Sequence, residues 1–225
     1  MDTTEIKKNY VVYAELTPNP NSVKFVANRM LLADGTVEYK SRADAGICPL
    51  ALQLFEFTGV KSVFITSNFV TITKASDIDW FDITNILREF IKGFLDSGER
   101  IFTSNPLTEE PSAKPKNNFS AQASNETPPQ PLSNSITSPD VALTPDETLA
   151  IEEKIKGMLE EYIRPAVEGD GGAIDFKSFS QGTVTVVLKG SCSGCPSSTL
   201  TLKAGIENLL KRMIPEVREV VAEQG

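Results

Sequence analysis

The chain contains no histidine and only three cysteines among its 225 residues. Without histidine it cannot run a Ser-His-Asp or Cys-His mechanism, build a Cys/His zinc site, or hold haem through a proximal histidine. Basic residues are outnumbered, 22 against 30 acidic, for a net charge of -8. That balance sets aside nucleic-acid phosphate or an anionic membrane as the main partner. No apolar run approaches the ~20 residues of a transmembrane helix. Met1 to Asn9 is polar and charged, without a signal-peptide apolar region or an Arg-rich transit pattern, so a cytoplasmic protein is expected. Three cysteines with one close pair do not make a disulfide framework, which suits a reducing compartment.

What the chain does have is Cys192-Ser193-Gly194-Cys195-Pro196. Thiolates are nucleophiles, redox centres and soft-metal ligands, so any chemistry here runs through this pair. Two thiolates are half of what a tetrahedral metal centre or a four-iron cluster requires.

Composition divides the chain. From Thr103 to Thr144, seven of the 14 prolines sit among Ser, Thr, Asn and Gln, with Phe119 the only aromatic. Such a stretch cannot bury enough apolar surface to offset its ordering entropy, and it reads as a disordered Pro/Ser/Asn-rich linker over 103–144. The expected fold class is therefore α+β, two small α+β domains at 10–102 and 145–222.

In the first domain, Tyr10–Leu16, Val23–Val26, Thr36–Lys40, Val60–Thr66 and Phe69–Lys74 read as strands. Thr17-Pro18-Asn19-Pro20-Asn21-Ser22 is turn chemistry. Helices are expected over Cys48–Phe57 and after Asp77 or Asp79, the latter carrying Trp80, Ile83, Leu87, Phe90, Ile91 and Phe94. In the second domain, Thr144-Pro145-Asp146-Glu147 is a helix start. Ile151, Ile155, Met158, Leu159 and Tyr162 follow on one face, and Arg164-Pro165 is expected to end that helix. Ala173–Phe179 and Thr183–Leu188 form a hairpin across Gln181-Gly182. After the cysteines come a helix carrying Leu202, Ile206, Leu209, Leu210 and Met213, and a last strand over Val217–Val221. The acidic Glu152, Glu153, Glu160 and Glu161 read as a solvated helix face.

The cysteine pair lies between a strand and a helix N-terminus. Pro196 fits the first helical turn, and the positive end of the helix dipole favours thiolates. Neighbouring Ser191, Ser193, Ser197, Ser198 and Thr199 can donate hydrogen bonds to sulfur. An exposed pair is expected, which argues against inert burial. Three readings compete with an iron–sulfur site completed by a second copy of the chain. One is a thiol–disulfide oxidoreductase, weakened because no βαβ pattern is visible in the sequence. Another is zinc shared between chains. The last is a pair of unligated loop cysteines. Cys48, flanked by Ile47, Pro49 and Leu50, reads as a buried packing thiol.

The residues also resemble a known family. Pro165-x4-Asp170-Gly171-Gly172, Gly182-x-Val184-x-Val186-x-Leu188-x-Gly190 and Cys192-Ser-Gly-Cys195-Pro196-x-Ser198-x2-Leu200-Thr201-Leu202-Lys203-x-Gly205-Ile206-Glu207 are similar to the C-terminal domain of NifU, the Nfu domain. Thr17-Pro18-Asn19-Pro20-Asn21-Ser22-x-Lys24-Phe25, Pro49-Leu50-Ala51-x2-Leu54-Phe55 and Gly59-Val60-x-Ser62-Val63-Phe64 resemble the Nfu N-terminal domain. Ala173 stands where an acidic residue is usual, and Cys48 where a serine is usual. The resemblance implies a scaffold or carrier, not an enzyme. It implies a [4Fe–4S] cluster held by Cys192 and Cys195 of two chains in a cluster-bound homodimer, accepted from an upstream donor and passed to apo iron–sulfur proteins.

Overall fold

The computed structural model describes residues 9–107, 144–193 and 196–225, without the side chains of 196–198. Most of the expected linker, and Cys195, lie outside the described residues. Two α+β domains are present.

The first domain is a five-stranded antiparallel sheet in the order β1-β2-β5-β4-β3. Its strands are β1 (Val12–Leu16), β2 (Ser22–Ala27), β3 (Thr36–Tyr39), β4 (Val60–Thr66) and β5 (Phe69–Lys74). Helices α1 (Pro49–Leu54) and α2 (Trp80–Asp96) belong to the same domain. Alternation puts Val23, Phe25, Val63, Ile65, Val70 and Ile72 into one core with Leu50, Leu54, Leu87 and Ile91. Asp79 caps α2, accepting from the Phe81 N–H at 2.9 Å. The chain stays attached beyond residue 102, because Thr103 donates to the Ile47 carbonyl through both its N–H and its hydroxyl.

The second domain opens with α3 (Pro145–Met158), where Thr144 and Glu147 form a reciprocal capping box. Pro165 does not end the helix. A π turn over Leu159–Ile163 carries the chain into α4 (Arg164–Gly169). A proline lacks the N–H and crowds the carbonyl four residues back; the wider turn here shifts the ladder so that Pro165 enters α4 in its first turn. The extra residue also rotates the face that follows, so Tyr162 points to solvent while Ile163 packs against the core.

β6 (Gly172–Ser180) and β7 (Thr183–Gly190) pair antiparallel across Gln181 (φ 50°) and Gly182 (φ 81°), two left-handed residues as a tight hairpin demands. Helix α5 (Pro196–Met213) follows, then β8 (Glu219–Gln224), which runs parallel to β7. The β7–α5–β8 unit is thus a βαβ crossover, which the sequence did not reveal. Ile206, Leu210 and Ile214 seal α5 and the turn after it onto the sheet; Met213, expected inside, is exposed. No helix among the described residues is long and apolar enough to cross a membrane.

Candidate functional site

Two glycine turns build the cysteine loop. Gly171 (φ 80°) lies where α4 passes into β6, and Gly190 (φ 65°) ends β7. The Gly171 carbonyl accepts from the Ser191 N–H at 3.2 Å, and the Ser193 N–H donates to the Gly190 carbonyl at 3.1 Å. The Ser191 hydroxyl donates to the Asp170 carbonyl. Thr199, in the first turn of α5, donates to the Cys192 carbonyl at 3.1 Å. These bonds hold Cys192 where a strand end, a turn and a helix start meet.

Gly172 leaves no room at this meeting point. A Cβ there would stand 2.6 Å from the Lys189 carbonyl oxygen and 2.7 Å from Cys192 Sγ. Backbone cannot give way cheaply, so Gly172→Ala should destabilise this domain by roughly 1–3 kcal/mol and displace the thiol. A lower urea midpoint in the variant checks the expectation; an unchanged midpoint refutes it.

Cys192 is buried, not exposed as the sequence suggested. Only 6% of its surface is accessible. Burial pushes its thiol up to about 11; the nearby Ser191 hydroxyl pulls the other way and the Asp170 charge adds to the rise. Cys192 packs into the second domain's own core, and the first domain lies over its neighbours. Asn19, at the tip of the Thr17–Ser22 turn, donates to the Ser191 carbonyl at 3.0 Å. Thr71 on β5 donates to the Gly171 carbonyl at 2.7 Å, and Lys24 on β2 to the Gly169 carbonyl at 3.3 Å. Glu38 on β3 faces the Gly190 N–H and the Ser193 hydroxyl; burial raises its carboxyl above the usual range against the pull of Lys40, Gly190, Lys189 and Ser193. Beside Cys192 a cavity of about 510 Å³ opens between Pro18 and Asn19 on one side and Ile163, Leu202 and Ile206 on the other.

Sequence reasoning placed Cys192 at the strand–helix junction and missed Asn19, Lys24, Glu38 and Thr71 as its neighbours. Asn19 lies within the Thr17–Ser22 turn, and Lys24 within the family motif that continues from it. Nothing local marks Glu38 or Thr71.

Cys48 is fully buried and caps α1, its sulfur accepting from the Ala51 N–H at 3.4 Å. Burial pushes it up to about 11 despite the Ala51 amide and the Tyr39 hydroxyl. A cap position explains why serine can serve there. Cys48→Ser should change stability by less than about 1 kcal/mol and leave iron content unchanged, as a denaturation curve and an iron assay would show. Loss of iron in that variant would make Cys48 a ligand.

Comparison with known proteins agrees with this architecture. The family described as "Scaffold protein Nfu/NifU N terminal" matches residues 12–98, and the "NifU-like domain" matches residues 155–221. The chain is 38% identical over 205 residues to the human "NFU1 iron-sulfur cluster scaffold homolog, mitochondrial", covering 91% of this chain and 68% of that protein. It is 33% identical over 223 residues to the Arabidopsis thaliana "NifU-like protein 5, mitochondrial", covering 97% and 70%. A solved NifU-like protein from Saccharomyces cerevisiae aligns with 47% of this chain and 94% of its own at 23% identity, with a TM-score of 0.41, too slight a likeness to argue from. The relatives overturn the cytoplasmic expectation: they are named mitochondrial, and the composition of nine leading residues carries no weight against them. The chain belongs to the Nfu/NifU family of iron–sulfur cluster scaffold proteins.

Proposed function

We propose that Cys192 and Cys195 of two chains together hold one [4Fe–4S] cluster, taken from an upstream donor and handed on to apo iron–sulfur proteins. One observation carries the two-chain reading. The third thiol, Cys48, lies in the core of the first domain while Cys192 packs with the core of the second, so Cys48 cannot join the pair without unfolding. Among the described residues, no group of three or more Cys, Asp or Glu could hold a metal ion. A cubane bound by thiolates needs four of them, and a second copy supplies the missing two. Ligands placed at a boundary between chains suit a cargo that must leave.

The oxidoreductase reading keeps the strand–CxxC–helix placement, now with a βαβ unit around it. It is disfavoured by the relatives, which are named an iron–sulfur cluster scaffold homolog and a NifU-like protein; the burial of Cys192 hinders either use of its thiol in the closed form. Anaerobic reconstitution separates the two. About two iron and two sulfide per chain, with broad absorbance near ~400 nm, are expected for a shared cluster. A colourless protein that only cycles between dithiol and disulfide would establish the oxidoreductase.

A further inference from the structure

The second face of the first domain's sheet is polar enough to pass for a solvated surface, yet it is covered. Every residue of β2 is buried, although alternation sends only Val23, Phe25 and Ala27 toward the helices. Ser22, Lys24 and Val26 point the other way, and the second domain covers that face. Val26, Phe64 and Phe69 form an apolar seam with Ala173 of β6. Around the seam, side chains of the first domain are spent on backbone carbonyls of the cysteine region: Asn19 on Ser191, Thr71 on Gly171, Lys24 on Gly169. In return Lys189 of β7 reaches the Thr36 hydroxyl at 3.2 Å. The Gly171 carbonyl is shared between Thr71 and the Ser191 N–H, so the interdomain contact and the loop's own bracing meet on one atom.

We propose that this face is a docking surface for the cysteine loop of its own chain, and that the first domain acts as a lid which must lift before a cluster is loaded. This rests on the two-chain reading above for its consequence, though not for the masking itself. Four thiolates around one cluster require both loops to face a common centre. In the closed form the Asn19 turn and the Thr71 side of β5, the central strand, lie against the cysteine region, with Trp80 bracing the turn through its indole N–H on the Pro20 carbonyl at 2.9 Å. Four apolar residues ringed by polar bonds make up the seam, the polar character of domain contacts that open and close. Both domains are in one chain, so re-docking is intramolecular and favoured by effective concentration. Cluster loading and lid closure then exclude each other. By linkage, whatever opens the lid must raise loading, and a bound cluster must hold the lid open.

The test reads thiol access in the apo full-length chain. In a Cys195→Ser background, maleimide labelling followed by peptide mass reports Cys192 alone. Ala173→Asp places a charge against Phe64 and Phe69 in the closed form only; in the open form its carboxylate stands opposite Lys189 in the strand register, which the second domain tolerates. It should raise the Cys192 labelling rate at least about tenfold and enlarge the radius of gyration by X-ray scattering, with helix and strand content retained. Thr71→Val, nearly isosteric, removes one interdomain bond and should raise the rate about threefold, which covers the case where the first variant fails to fold. Labelling at the parent rate in a variant whose scattering shows parted domains overturns the lid, as does a parent chain labelled as fast as the denatured protein. The two readings fail separately. Masking with no iron bound on reconstitution keeps the lid and removes the cluster; iron and sulfide bound without masking does the reverse.

Discussion

Cys192→Ser and Cys195→Ser should each reduce bound iron and sulfide by at least about tenfold while leaving both domains folded. A hydroxyl does not ionise near neutral pH, and oxygen is a poor partner for a metal centre that selects soft thiolates. The cost to folding is small at Cys192. Serine is the smaller side chain, the Ser191 hydroxyl lies 3.9 Å from Sγ, and burying one more hydroxyl beside it costs about 1 kcal/mol. Thermal unfolding should therefore move by only a few degrees. For Cys195 the expectation rests on its spacing in the sequence alone. Iron and sulfide assays with a melting curve decide the matter. A variant that keeps half its iron at native stability would remove that cysteine from the ligand set.

Particular residues show how far the sequence carried. The Thr144–Glu147 capping box, the Asp79 cap and the Gln181-Gly182 turn are local, each set by residues within a few positions, and each stands where it was expected. The strands of the first domain were legible from β-branched and aromatic runs, and the domain's core from their alternation. What failed was non-local. Proline at 165 signals a stop, and only the packing of Ile163 and Val167 onto the second core makes a π turn the better outcome. The parallel pairing of β8 needs α5 to return the chain along β7, which no short window encodes. The roles of Lys24 and Thr71 are not local, because their partners, Gly169 and Gly171, lie 145 and 100 residues away and offer only carbonyls. Cys192 was expected to be exposed for a like reason: a serine- and glycine-rich loop looks open, and no short window shows the sulfur turning into the second domain's core.

Loading a cluster should turn the protein from monomer to dimer, and chelating the iron should return it to monomer. The physical ground is the count of thiols and where they lie. Cys48 is sealed with its sulfur engaged at the α1 cap, so a chain can present only the pair at 192 and 195. Two such pairs related by a twofold axis complete a cubane with no other residue type, and twofold closure is the commonest arrangement of identical chains. The metal is then most of the interface. Without it, two acidic chains of net charge -8 have little reason to stay together. Light scattering after size exclusion should give the mass of one chain for apo protein and about twice that after reconstitution, and a chelator should reverse the change as the absorbance near ~400 nm disappears. Raising the salt concentration should not break the loaded dimer, since thiolate–iron bonds are not screened as surface charges are. One full cluster per monomer would defeat the shared site. With Cys48 excluded by its burial, the missing ligands would then have to be carboxylates or an added thiol, and the Cys48→Ser variant would tell whether that exclusion was right.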